Sequence, residues 1–218
     1  IRLTRVLTHE IMNAVTPITS LSDTLLGLTE AQVSKEEIRN GLQTISSTGK
    51  GLLSFVESYR KFTRIPTPEP SLFYVKSFIG RMVELARHQH PDVRVTFHMD
   101  IAPSDLILYA DENLVSQVVI NLLKNAIQAI ESDKNTDKEG HINIRAYCNE
   151  AEAILIEISN NGPAIPNDIA EHIFIPFFTT KEGGSGIGLS ISRQIMRLSG
   201  GNLSLLPSKE TTFILKFN

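Results

Sequence analysis

Early in the chain, apolar residues recur at Leu7, Ile11, Ala14, Ile18, Leu21, Leu25 and Leu28, in alternating steps of four and three. That spacing keeps a single stripe on one side of a helix and defines a heptad seam. A second seam runs through Ile38, Leu42, Ile45, Leu52, Val56 and Tyr59, with Gly49 at the missing position. Between the two, Ser34 and Glu37 have capping-box spacing, so the second helix is expected to start near Lys35. The pattern predicts an antiparallel helical hairpin. Two helices alone cover little of such broad seams, and pairing two hairpins into a symmetric four-helix bundle is the simplest way to bury them.

The helical pattern stops at RIPTPEPS (64–71), where prolines at 66, 68 and 70 favour an extended linker. Helix and strand mix beyond it. A helix is expected over Val75–His88, then strands over 93–99 and 106–110, a turn at Asp111, and a helix to about Glu131. After a polar loop (131–140), HINIRAYC and AILIEIS alternate as an antiparallel pair of strands. A final amphipathic helix starts near Ile187 and carries Ile191, Ile195 and Leu198, and NLSLLP and TTFILKF complete a sheet. The class is therefore α+β, with a hairpin over 1–64, a linker over 65–71 and an α/β sandwich over 72–218.

Composition narrows the partners. Of the 218 residues 41% are hydrophobic, enough for a core, and the net charge of −3 gives no electrostatic footprint for nucleic acid or an anionic membrane. The one cysteine, Cys148, permits no internal disulfide, fits a reducing compartment, and is expected to be a small buried residue of its strand. No apolar run approaches the roughly 18 residues that span a bilayer. Ile1 already lies in a helical pattern, which points to a chain that continues upstream.

The chemistry begins at THEIMNAVTPI (8–18). His9 lies about 200° around the helix from Leu7 and points away from the seam. Such a histidine is ordinarily a solvated surface residue, but three neighbours change its reading. Glu10 can accept an imidazole proton. Asn13 is one turn on, along the same face. Pro17 removes the backbone hydrogen bond to Asn13 and can bend the helix beside the histidine. HEIMNAVTPI resembles the H-box of sensor histidine kinases, closest to the nitrogen-regulation type.

The other boxes of that family follow in order. NLLKNAIQA resembles the N-box. Its Asn121 and Asn125 are one helical turn apart, and two neutral oxygen donors on one face suit Mg²⁺, which keeps waters and takes further ligands from phosphates. SNNGPAIP resembles the G1 box, whose family pattern is Asp-x-Gly-x-Gly, with the aspartate accepting from the adenine amino group. Asn160 stands in place of that aspartate and Ala164 in place of the second glycine. An amide keeps an acceptor oxygen but loses the charge and can flip, so weaker affinity or relaxed base selection is expected. IFIPFFTTK resembles the F-box, with Phe177 and Phe178 as anchors. The lid EGGSGIGLSIS follows, where Gly183, Gly184, Gly186 and Gly188 allow close phosphate approach and a helix N-terminus supplies N–H groups.

The resemblance implies a nucleotide site built from Asn121, Asn125, Asn160, Gly162, Ala164 and Ile165. It continues through Thr180, Lys181, Gly184, Ser185, Gly186, Ile187, Gly188 and Leu189, with Thr212 on the adenine side. Many members carry a lysine three residues after the second N-box asparagine. Here that position is Gln128, which leaves Lys181 as the candidate to meet the γ-phosphate.

The resemblance also implies the mechanism. ATP and Mg²⁺ bind in the sandwich, neutral His9 attacks the γ-phosphorus, and Glu10 serves as general base on the other ring nitrogen. The phosphoryl group then passes to an aspartate on a response regulator docked against the homodimeric hairpin. Asn13 is placed to orient a water that dephosphorylates the regulator. The fragment is expected in the cytoplasm, with any inner-membrane anchor supplied upstream of Ile1. A degenerate module acting as regulator-binding scaffold or phosphatase is the alternative, because Asn160 departs from the pattern. A gyrase- or mismatch-repair-type ATPase lacks a histidine hairpin, and a protein-serine kinase on this fold lacks the H-box. If Pro17 lets His9 move between kinase domain and regulator, Pro17→Ala should change at least one of the autophosphorylation, transfer and dephosphorylation rates, and three unchanged rates would refute it.

Overall fold

The computed structural model describes residues 2–27, 34–133, 139–181, 184–206 and 210–218, with side chains in the first helix from Thr8 onward. It divides into two compact units, Ile1–Arg64 and Ile65–Asn218. No described helix is long and apolar enough to cross a membrane.

The first unit is a pair of helices, α1 (Arg2–Gly27) and α2 (Lys35–Thr63), and α1 runs without interruption through Pro17. Ser34 caps α2 with a reciprocal capping box: its hydroxyl accepts from Glu37 N–H at 3.2 Å, and Glu37 accepts from Ser34 N–H at 2.8 Å. These bonds also hold the Glu37 carboxyl below its ordinary pKa. The α1 seam faces α2 through Ile11, Ala14, Ile18, Leu21 and Leu25, all half-buried. Leu28 lies outside the described residues, and the side chain of Leu7 does too.

The α2 seam is partly displaced from the expected one. Gly41, Ile45, Thr48, Gly49, Leu52, Phe55, Ser58, Tyr59 and Phe62 are the half-buried positions, so Ile45, Gly49, Leu52 and Tyr59 lie where expected, whereas Ile38, Leu42 and Val56 are exposed. A Cβ at Gly41 would lie 3.1 Å from Leu25 Cδ1, so the missing side chain is what admits the leucine. Among the described residues, this unit has no fully buried side chain.

The second unit has a conventional core. Its elements are β1 (Ser71–Tyr74), α3 (Val75–Gln89), β2 (Val95–Ala102), β3 (Ile107–Ala110), α4 (Glu112–Glu131), β4 (Gly140–Cys148), β5 (Ile154–Asn160), the single turn α5 (Asn167–Ala170), α6 (Gly188–Leu198), β6 (Asn202–Leu206) and β7 (Thr211–Phe217). Five strands form a mixed sheet in the order β2-β4-β5-β7-β6, with β2 parallel to β4 and the rest antiparallel, including the expected β4–β5 pair. β1 and β3 form a separate antiparallel pair. β2 runs past its expected end because its whole length matches β4, from Val95 opposite Gly140 to Ala102 opposite Tyr147.

Alternate residues of the sheet turn one face to α3, α4 and α6. Ile142, Ile144, Ile156, Ile158, Leu203 and Leu215 are at most 1% exposed and meet Phe78, Ile79, Leu122, Leu123 and Ile195. Each such side chain contributes roughly 1.5–3 kcal/mol by burial. Cys148 is exposed, contrary to expectation, because it sits at the open end of β4 beside the 149–153 turn. The polar loop is described only outside 134–138.

The proline-rich stretch is not a free spacer. Ile65 packs on the second unit's core, and Glu69 N–H donates to Asp111 Oδ2 at 2.8 Å. Asp111 is also the N-cap of α4, accepting from Leu114 N–H at 3.0 Å. The Glu69 N–H, chiefly, holds the Asp111 carboxyl below its ordinary pKa against the opposing effect of burial. A lowered folded pKa stabilises above the unfolded carboxyl pKa, and that stability fades as pH falls through the folded value. Asp111→Ala should therefore cost about 1–2 kcal/mol at neutral pH, read from urea midpoints, and the difference from the unmodified chain should shrink once Asp111 is protonated.

Candidate functional site

The site grows out of α4. Leu114, Val115, Val118, Val119, Leu122, Leu123, Ala126 and Ile127 occupy its buried face. Asn121, Asn125 and Gln128, spaced four and three apart, form the stripe beside it. This stripe floors a cleft of about 580 Å³, walled by the segment after β5, the segment 178–181 with 184–186, the start of α6, and the first residues of β7.

Each amide of the stripe has a fixed role. Asn121 Nδ2 donates to Ser192 Oγ at 3.0 Å, and Ser192 is buried on α6. That bond commits the nitrogen and leaves Oδ1 as the acceptor beside the helix start. A Cβ at Gly188 would drive into this same Oδ1. Lys181 crosses the cleft: Nζ donates to Gln128 Oε1 at 2.7 Å and to Asn125 Oδ1 at 3.3 Å. Burial, and then the like charge of Lys124, pull its pKa below the usual lysine value. The charge absent at position 128 is thus delivered onto that position by a residue from across the cleft. An oxygen of Asn121 with nitrogen committed elsewhere, and an oxygen of Asn125 already facing an ammonium, are acceptors that suit a hard cation. The residues present fit Mg²⁺.

The loop between β5 and α5 closes the other end. Asn160 Oδ1 accepts from Gly162 N–H at 3.1 Å, and Nδ2 donates to the Thr211 carbonyl at 3.5 Å. A Cβ at Gly162 would come within 2.8 Å of the Ala129 carbonyl carbon, so this turn packs directly on α4. On the lid side Phe177 has φ of +68° and Gly186 of +65°, and Phe177 N–H donates to the Gly186 carbonyl at 2.9 Å. A phenylalanine held there costs on the order of 1–3 kcal/mol and persists because its surroundings impose it. Nearby, Phe174 stacks under the Arg193 guanidinium at 4.6 Å and meets Phe213 edge-on, tying the segment to α6 and β7.

Twelve of the fifteen residues expected at a nucleotide site line this cleft: Asn121, Asn125, Asn160, Ala164, Ile165, Thr180, Lys181, Gly184, Ser185, Gly186, Gly188 and Leu189. Three do not. Gly162 acts from behind through Asn160 and Ala129. Ile187 is buried as the residue capping α6, its carbonyl accepting from Ser190 Oγ and Ile191 N–H. Thr212 lies on the other face of β7, and Thr211 takes the lining position. Gly183 lies outside the described residues. Alternation was the available signal for Thr211, because it shares parity with the inward-facing Phe213, Leu215 and Phe217. Ser192, one turn after Gly188 on α6, had no sequence signal of its own.

The hairpin carries the second group. The side chains of His9 and Glu10 are 70% and 46% exposed. His9 Nδ1 lies 3.4 Å from Glu10 Oε1 and 3.1 Å from Asn13 Nδ2. These contacts belong to alternative tautomers: Nδ1–H donates to Glu10, or bare Nδ1 accepts from Asn13. Both fall on Nδ1. Glu10 and Asn13 also border a groove of about 340 Å³ with Ala14, Thr48, Leu52 and Phe55.

Known proteins share these features. Residues 110–218 match the family of histidine kinase-, DNA gyrase B- and HSP90-like ATPases. The nitrogen regulation protein NtrY of Azorhizobium caulinodans is 32% identical over 94% of this chain and 27% of its own. The signal transduction histidine-protein kinase AtoS of Escherichia coli is 28% identical over 95% of this chain and 33% of its own. This chain thus spans about a quarter to a third of the length of such relatives. Among solved structures, the catalytic domain of histidine kinase ThkA is 32% identical with a TM-score of 0.58, covering 68% of this chain and 95% of that one. ThkA in complex with the response regulator protein TrrA gives 26% identity and a TM-score of 0.66 over 99% of this chain and 60% of that one.

Gly188→Ala tests the close approach at the α6 start. Its methyl group should displace Asn121 Oδ1 and weaken Mg²⁺-dependent nucleotide binding by about tenfold or more, a change of at least about 1.4 kcal/mol by titration calorimetry, with an unchanged far-UV spectrum.

Proposed function

Because the chain belongs to the histidine kinase-, DNA gyrase B- and HSP90-like ATPase family, and to the sensor histidine kinases within it, we propose that it moves the γ-phosphoryl group of ATP to His9 and on to an aspartate of a response regulator. Residues 1–64 serve as dimerisation and phosphotransfer hairpin and residues 72–218 as catalytic domain, with 65–71 between them. The observation that carries the reading is the pairing at His9: both polar neighbours engage Nδ1 and neither engages Nε2.

With Nδ1 protonated toward Glu10, the lone pair of Nε2 is free to attack. The Nε2–P bond forms as the bond from the γ-phosphorus to its bridging oxygen breaks, and ADP leaves. The attacking imidazole becomes cationic, and Glu10 takes the Nδ1 proton. Lys181 shifts from the amides of Gln128 and Asn125 to the γ-phosphate, exchanging neutral partners for an anionic one. Asn121 and Asn125 would hold Mg²⁺, which supplies charge neutralisation on the phosphates when bound. The start of α6 offers N–H groups to the same oxygens. Asn13 hydrogen-bonds a water for the opposing reaction, hydrolysis of the regulator's phosphoaspartate to the free carboxylate and inorganic phosphate.

The exposed apolar residues of the hairpin, Ile38, Leu42 and Val56 on α2 with Met12 and Val15 on α1, support pairing with a second copy into a four-helix bundle. ThkA was solved with a response regulator, which supports a receiver domain as the second partner. The regulator-binding scaffold or phosphatase remains the alternative, favoured by one observation: both ends of the Asn160 amide already have partners within the chain.

Incubation with γ-labelled ATP and Mg²⁺ separates the two. An acid-labile, alkali-stable label that is absent from His9→Gln establishes the kinase. A dimer that takes no label and binds no ATP leaves the scaffold. Glu10→Gln should slow labelling by roughly 10²–10⁴-fold. Lys181→Met should slow it by about 10²–10³-fold in single-turnover assays while leaving ADP affinity nearly unchanged.

A further inference from the structure

Asn160 ends β5 at 3% exposure, on the inward face that continues Ile156 and Ile158. Its orientation is set by the chain. Oδ1 accepts from Gly162 N–H, and Nδ2 donates to the Thr211 carbonyl. A flipped amide would set nitrogen against N–H and oxygen against carbonyl, losing both bonds. Each end nevertheless keeps capacity: Nδ2 has a second hydrogen and Oδ1 a second lone pair. Thr211, directly opposite Asn160 in the β5–β7 register, is 6% exposed. Among the described residues its Oγ1 has no hydrogen-bond partner. Both residues line the cleft, along with Ala164, Ile165 and Phe213. A buried hydroxyl left without a partner costs about 1–3 kcal/mol, so this one is open to a polar group that enters the cleft.

Purines differ at C6, where adenine carries an amine that donates and a 6-oxopurine carries a carbonyl that accepts. A carboxylate at position 160 could serve only the amine, because it has no proton to give and would repel the carbonyl. An amide serves either, through its spare lone pair or its spare N–H. The Thr211 hydroxyl rotates to donate or accept. We propose that Asn160 and Thr211 form a base site that reads both C6 edges, so that this chain uses 6-oxopurine nucleoside triphosphates as phosphoryl donors alongside ATP. This rests on the kinase reading above, since the cleft must bind a nucleoside triphosphate at all.

The test is titration of the unmodified chain and of Asn160→Asp with ATP and with inosine triphosphate, each with Mg²⁺. Inosine triphosphate replaces the C6 amine by a carbonyl and, with it, turns N1 from an acceptor into an N–H donor, leaving the rest of the nucleotide unchanged. The same pair of nucleotides is then compared as donors to His9. We expect inosine triphosphate to bind the unmodified chain within about tenfold of ATP. In Asn160→Asp it should weaken by roughly 10- to 100-fold, the cost of an unsatisfied and repelled buried acceptor, while ATP is retained or improved. ATP binding with inosine triphosphate weaker by about 100-fold or more in the unmodified chain overturns the proposal and leaves the kinase reading standing. Similar affinities that Asn160→Asp does not separate overturn the assignment to this amide. Failure to bind either nucleotide overturns both the proposal and the kinase reading. Should Asn160→Asp not fold, the ratio in the unmodified chain decides alone.

Discussion

Helix α4 must be apolar enough on one face to pack on a sheet and polar enough on the next to floor a cleft, and the second unit is built around that constraint. The helical period places Asn121, Asn125 and Gln128 on one stripe, next to Leu122, Leu123 and Ala126 in the core. A small rotation about the helix axis would bury amides without partners, at about 1–3 kcal/mol each. The rotation is fixed from both sides. Core packing holds the apolar face, while Ser192 and Lys181 take up the amides. Gly162 then rests its backbone on Ala129 and brings the base-side loop to the same helix. The two ends of the cleft are thereby referenced to one rigid element, as a site that positions a long ligand requires.

The hairpin follows another logic. It has no fully buried side chain among its described residues, and its apolar positions divide between a seam used within the chain and a stripe left facing outward. Folding of the second unit closes its own core, whereas the hairpin's outward stripe gains nothing until another surface covers it. His9 shares that openness, with its side chain 70% exposed.

How much of this was legible depended on the range of the interaction. The α1 seam, the Ser34 cap and the apolar face of α4 are set by neighbours within a turn or two, and the sequence pattern conveys them. The α2 seam is not local. Ile38 and Leu42 continue a heptad with Ile45 as well as Gly41 and Thr48 do, and the fit of Leu25 into the space at Gly41 favours the second stripe. Strand parity was readable in β7 and places Thr211 rather than Thr212 at the cleft. Strand β1 was hidden because four residues between a run of prolines and the start of α3 carry little period, and its order comes from pairing with β3. The amide orientation of Asn160 rests on Thr211, far along the chain, and the partner of Gln128 on Lys181. Motif named Asn160, Gln128 and Lys181, but which atom faces which is set by contacts far along the chain.

The hydrogen bond from Phe177 to the Gly186 carbonyl joins the two ends of a segment that walls the cleft. A loop cinched at its base has already lost the entropy of bringing its ends together. The cost of that closure falls on folding rather than on any ligand that enters the cleft. The left-handed backbone at Phe177 and Gly186 acts as the clasp of that loop.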